Sequence, residues 1–167
     1  MKNILLIGTS FVSLALVAPA FAELKYKPGE DAKFTWANLD ALKKVNLKGE
    51  TLTIFGPWRG DDEKHVQVVL DYFREATGAD VKYSSSENYE QQVVIDTSAG
   101  SPANISVLPQ PGLIADLAGK GLLAPLTADD AKWMVENYGA GQSWVDLGTS
   151  KGKDGAKNFY GFSTRPT

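Results

Sequence analysis

The segment Gly56-Pro57-Trp58-Arg59-Gly60-Asp61-Asp62 sets a flat apolar ring beside a guanidinium and two carboxylates. A sugar demands that mixture. Its face of C–H groups can lie on an aromatic plane, while its hydroxyls, each both donor and acceptor, require charged or amide partners once water is displaced. Ser85, Ser86, Glu87 and Asn88 form a second polar group, and Gln110 stands alone in a third. The candidate substrate contacts are therefore Trp58, Arg59, Asp61, Asp62, Glu87, Asn88 and Gln110. Each has a plainer reading. Trp58 could be a core aromatic, Arg59 and Asp61 could pair on the surface, and Asp61 or Asp62 could cap a helix. Ser84 to Glu87 could be a solvated turn, and Asn88 could cap the segment that follows it.

Catalysis needs other groups. An exported glycan-acting enzyme requires two carboxylates at a defined separation, and Asp61, Asp62 and Glu87 could supply a pair, so that class stays open; an extracellular carbohydrate-binding module is the other alternative, one that would be all-β in most cases. The chain has one His and no Cys, which excludes a disulfide framework and a thiolate metal site and leaves little for a zinc centre or a serine triad. His65 is read as a surface residue and Arg59-Gly60-Asp61 as a chance tripeptide. No cofactor is expected.

Strands and helices must carry these segments. Thr51-Leu52-Thr53-Ile54-Phe55 is β-branched and aromatic between Gly49 and Gly56, hence a strand, and Asp80 to Tyr83 and Asn104 to Leu108 are two more. Between them Val66, Val69, Leu70 and Phe73 recur at helical spacing up to Gly78, and Tyr89 to Ala99 is read as a helix despite its β-branched Val93-Val94-Ile95. Leu113, Ile114, Leu117 and Ala118 share a helical face, as do Ala131, Met134, Val135 and Tyr138 behind a Thr127/Asp130 capping pair. A short helix is expected around 37–44, packing roles for Trp133 and Trp144, and a loop over Gly148 to Lys157. Strand and helix alternating at this spacing predicts an α/β fold with a mainly parallel sheet flanked by helices. In such sheets ligands gather beyond the carboxyl ends of the strands, where the three polar segments fall.

The first residues speak to location. Lys2 precedes an uncharged apolar run from Ile4 to Val17, shorter than the roughly 20 residues a membrane-spanning helix needs, and Ala20-Phe21-Ala22 offers a cleavage site. Residues 1–22 are expected to be a cleavable signal peptide, directing the chain to a Gram-negative periplasm. No Cys follows for lipidation. Residues 23–49 read as an arm with a short helix. The formal net charge of −3 and the lack of a basic cluster argue against nucleic acid as a partner.

Three stretches carry a family resemblance: Gly56-Pro57-Trp58-Arg59-Gly60-Asp61-Asp62-Glu63, Leu108-Pro109-Gln110-Pro111-Gly112-Leu113-Ile114-Ala115-Asp116-Leu117, and Gly121-Leu122-Leu123-Ala124-Pro125-Leu126. Over 47–161 the chain resembles the extracellular solute-binding family that includes maltose-binding protein, in particular an α-glucoside-binding branch of rhizobial type. The resemblance implies a two-lobed periplasmic-binding-protein fold that closes on its ligand by hinge motion, as periplasmic binding proteins do. It also implies a sugar ligand, docking on the membrane permease of an ABC importer, a monomer, and no catalysis. Residues 50–161 would then be part of the first lobe. Residues 162–167 depart from the family pattern. In suitably chosen codons, one deleted base turns a family-like Gly-Phe-Phe-Tyr-Lys-Ala-Asp-Leu into the Gly-Phe-Ser-Thr-Arg-Pro-Thr of 161–167 followed by a stop, so a frameshifted tail on a truncated, non-binding product is expected.

Overall fold

A computed structural model describes residues 24–27, 30 and 36–163. The expected signal peptide and the last four residues lie outside these. The elements run α1 (Trp36–Leu42), β1 (Thr51–Gly56), α2 (Asp61–Thr77), β2 (Asp80–Ser85), α3 (Tyr89–Ser98), β3 (Ile105–Ser106), α4 (Pro111–Gly119), α5 (Ala128–Asn137), α6 (Gln142–Leu147), β4 (Thr149–Lys151) and β5 (Lys157–Phe159). β1 is central in a three-stranded sheet of order β2-β1-β3, and both pairings are parallel. The mainly parallel α/β arrangement expected from the sequence is therefore present.

Alternation along β1 assigns its two faces to different helices. Ile54 packs with Ala79, Val81, Leu70 and Phe73, on the face served by α2. Phe55 points the other way and joins Tyr89, Val93 and Leu117 from α3 and α4. Helix α2 starts with Asp61, Asp62 and Glu63 against its positive end and carries Arg74 in its last turn, charges placed to favour the macrodipole. Gly78 stops it with φ 75, a conformation that a side chain would strain, and donates its N–H to the Arg74 carbonyl at 2.8 Å.

One position of the α2 stripe differs from expectation. Val69 faces solvent, and the buried residue of that turn is Tyr72, whose ring meets Trp36 of α1 at 6.2 Å. Helix α1 packs on α2, which draws the inward face of α2 around toward Tyr72. The Tyr72 hydroxyl accepts from the Tyr26 N–H at 2.7 Å and donates to the Tyr26 carbonyl at 2.9 Å, pinning the arm.

Helix α5 has the capping box expected of Thr127 and Asp130. The Asp130 N–H donates to Thr127 Oγ1 at 3.1 Å, and the Thr127 N–H donates to Asp130 Oδ2 at 2.8 Å. The Thr127 hydroxyl also donates to Asp130 Oδ2 at 2.7 Å, and this bond first, the Thr127 N–H bond second, holds the Asp130 carboxyl below its ordinary range. The segment expected to be a loop, Gly148 to Lys157, is instead largely a hairpin of β4 and β5. Its strands are three residues each and carry Lys, Ser and Asn, too short and polar for period-two alternation to show. Phe159 anchors it in a third core with Met134 and Val145, where Trp144 also packs.

Candidate functional site

The parallel sheet brings the carboxyl ends of all three strands to one edge, and with them the loops 57–60, 86–88 and 107–110. The first loop is built on Gly56. Across the sheet Ile54 faces Tyr83, so Gly56 is the diagonal neighbour of Tyr83 on the same face, within reach of an aromatic ring. The Tyr83 ring occupies that space. A Cβ at residue 56 would stand 2.7 Å from the Tyr83 hydroxyl and 2.8 Å from its ring, so only glycine fits. The Tyr83 oxygen accepts from the Trp58 N–H at 2.9 Å and donates to the Trp58 carbonyl at 3.0 Å. Burial raises the Tyr83 phenol above its ordinary value; the Trp58 N–H bond opposes this and the Glu63 charge adds to it. The phenol is thus protonated at neutral pH and able to donate to the carbonyl.

Trp58 lies partly exposed above this contact, its ring 6.4 Å from that of Tyr83 and tilted by 31°. Arg59 does not pair with Asp61. Its Nη1 reaches Glu87 Oε1 at 2.9 Å and so links the first loop to the second. Both side chains are more than half exposed, 51% and 77%, so screening leaves the pair worth about 0–1 kcal/mol. Asp61 pairs with Lys64 at 2.7 Å one turn along α2.

The expected side-chain caps are absent at this edge. Gly60, not Asp61 or Asp62, holds the N-cap position of α2, and Asn88 and Gln110 hold those of α3 and α4 without a side-chain bond. Asp62, Asn88 and Gln110 are exposed and make no side-chain hydrogen bond among the described residues. The first loop therefore offers a ring and a guanidinium, the second a carboxylate and an amide, and the third an amide. His65 is exposed on α2. No cluster of metal-ligating side chains exists among the described residues.

Tyr89 closes the edge from below. It is buried, and its hydroxyl donates toward the carbonyls of Phe55 and Val107, where β1 and β3 separate. Burial pushes its phenol up strongly, so this donor is retained at any physiological pH. Neither Tyr83 nor Tyr89 stands out in the sequence as a site residue. The signal was indirect: a glycine closing an apolar strand, with an aromatic two positions off its partner on the next strand.

The model of the bacterial extracellular solute-binding proteins matches residues 61–160. The chain belongs to this family. Among its relatives, the α-glucosides-binding periplasmic protein AglE of Rhizobium meliloti is 59% identical over 97% of this chain and 37% of its own length. The osmoprotective compounds-binding protein GgtB of Synechocystis is 33% identical over 60% of this chain and 24% of its own length. This solute-binding protein chain thus spans little more than a third of AglE. Trp58 and Arg59 fall just before the matched segment, while Asp61, Asp62, Glu87, Asn88 and Gln110 fall within it.

Proposed function

We propose that this chain supplies the first-lobe half of the sugar site in the substrate-binding component of an ABC importer, with α-glucosides as ligands. The observation that carries the reading is the 59% identity to a protein named for binding α-glucosides in the periplasm. The loop edge supports it, because Trp58, Arg59, Glu87, Asn88 and Gln110 present the ring and polar groups that a pyranose needs. A pyranose bound there would lie against one wall only, and a second lobe would complete its burial by hinge closure. The partner is a membrane permease. The component works as a monomer in the periplasm after removal of residues 1–22, and it performs no catalysis. Of the three carboxylates that a hydrolase reading would use, Asp61 and Glu87 are each engaged with a cation and Asp62 is exposed.

The experiment is calorimetric titration with maltose of a two-lobed form, residues 1–161 continued by the remaining part of AglE. Trp58→Ala is expected to weaken binding by about 1–3 kcal/mol through loss of the apolar ring face. Equal binding by both forms would return Trp58 to a packing role, and release of glucose from maltose would revive the hydrolase reading.

A further inference from the structure

We infer that Tyr83 is a positioning residue for the ligand loop: its hydroxyl clamps both peptide groups of residue 58 and thereby sets where the Trp58 ring stands. The inference rests on the reading of that loop as a sugar contact, and it adds a residue that makes no ligand contact of its own.

The geometry is specific. One phenol oxygen, on β2 and 25 residues away in sequence, accepts from the Trp58 N–H at 2.9 Å and donates to the Trp58 carbonyl at 3.0 Å. The two bonds fix the peptide planes on both sides of the Trp58 Cα, and Pro57 restricts the φ before them. With both planes fixed, the direction of the Trp58 Cα–Cβ bond is fixed as well, and the ring projects from it. Gly56 makes the clamp possible, since any Cβ there would occupy the space of the Tyr83 hydroxyl and ring. The neighbouring alternatives do not hold this peptide. The Arg59 to Glu87 pair is exposed at both ends, and α2 has no side-chain cap at Gly60. A solvated loop following a strand has no need of a half-buried phenol bonded to both of its peptide groups; a loop that must present a ring from one direction does.

The test is Tyr83→Phe, which keeps the ring and deletes the oxygen. In the 167-residue chain, hydrogen exchange at the Trp58 amide is expected to rise at least tenfold, with the amides of Leu52 and Ile54 in β1 unchanged. An unchanged Trp58 amide, or a rise spread evenly over β1, overturns the inference. The second arm uses the two-lobed form and maltose. Tyr83→Phe is expected to weaken binding several-fold in the parent and not at all in a Trp58→Ala background, because its effect passes through the ring. Additive losses in the two backgrounds would overturn it as well. If Trp58→Ala alone leaves maltose binding intact, the sugar reading of the loop fails, and the exchange arm still decides whether Tyr83 holds the peptide.

Discussion

Two tyrosines in this chain do the same thing in different places. Tyr72 accepts from and donates to the backbone of Tyr26, and Tyr83 does so with Trp58. The first pair fastens an arm to the outside of α2, where α1 also packs, and nothing about the arm's detailed pose matters to the sheet edge. The second fastens a loop at the carboxyl ends of the strands, over a glycine that no other residue could replace without displacing the ring. The contrast shows that a hydrogen-bond pair has no fixed role. Beneath the arm it adds stability, and beneath the loop it adds stability and direction.

The largest expected effect that would sharpen the contrast is at Gly56. Gly56→Ala should cost about 1–3 kcal/mol by overpacking against Tyr83 and should release the Trp58 peptide, read as a lower urea midpoint with faster Trp58 amide exchange. A neutral Gly56→Ala would mean the ring moves aside freely and the clamp is loose. Next comes Tyr72→Phe, expected to cost about 1 kcal/mol, the net worth of a hydrogen bond, while leaving Trp58 exchange unchanged. A change at Trp58 would erase the distinction between the two tyrosines.

The alkaline limb gives a smaller effect. Because the folded-state value of Tyr83 is raised, the folded chain holds its proton longer than the unfolded chain. Stability from this group is therefore fully present below the ordinary phenol range near pH 10 and falls as pH rises from there through the raised value. Chemical denaturation at pH 8, 10 and 11 should show the decline in the parent and a shallower one in Tyr83→Phe. The smallest effect is expected at the exposed link between the loops. Glu87→Gln should change stability by about 0–1 kcal/mol, and by less in high salt; a larger loss would make that pair a second clamp.

The parallel sheet was legible in residues 50–119 because the strands are short runs with β-branched or aromatic residues and the helices after β1 and β3 carry helical stripes; α3, with Val93-Val94-Ile95, was the ambiguous crossover. Thr127 and Asp130 announced their cap three residues apart. Beyond 140 the signal fails, as α6 has six residues and β4 and β5 three each, below the length at which periodicity speaks. At the site, the loops were found but their bonds were not. Arg59 chose Glu87 over Asp61 because the parallel pairing of β1 with β2 places the two loops side by side, a proximity that sequence distance conceals. The Tyr83 clamp was invisible for a further reason. Its target is a main chain, so no side chain at the receiving end marks the partnership.

That last property has an evolutionary reading. A grip on peptide groups is indifferent to what hangs from the Cα, so residue 58 can be exchanged for another ring, an amide or a small residue while the backbone beneath it keeps its course. Descendants of such a protein can trial new ligands one substitution at a time without redesigning the perch. The structural constraint falls instead on Gly56 and Tyr83, whose contact holds the backbone beneath.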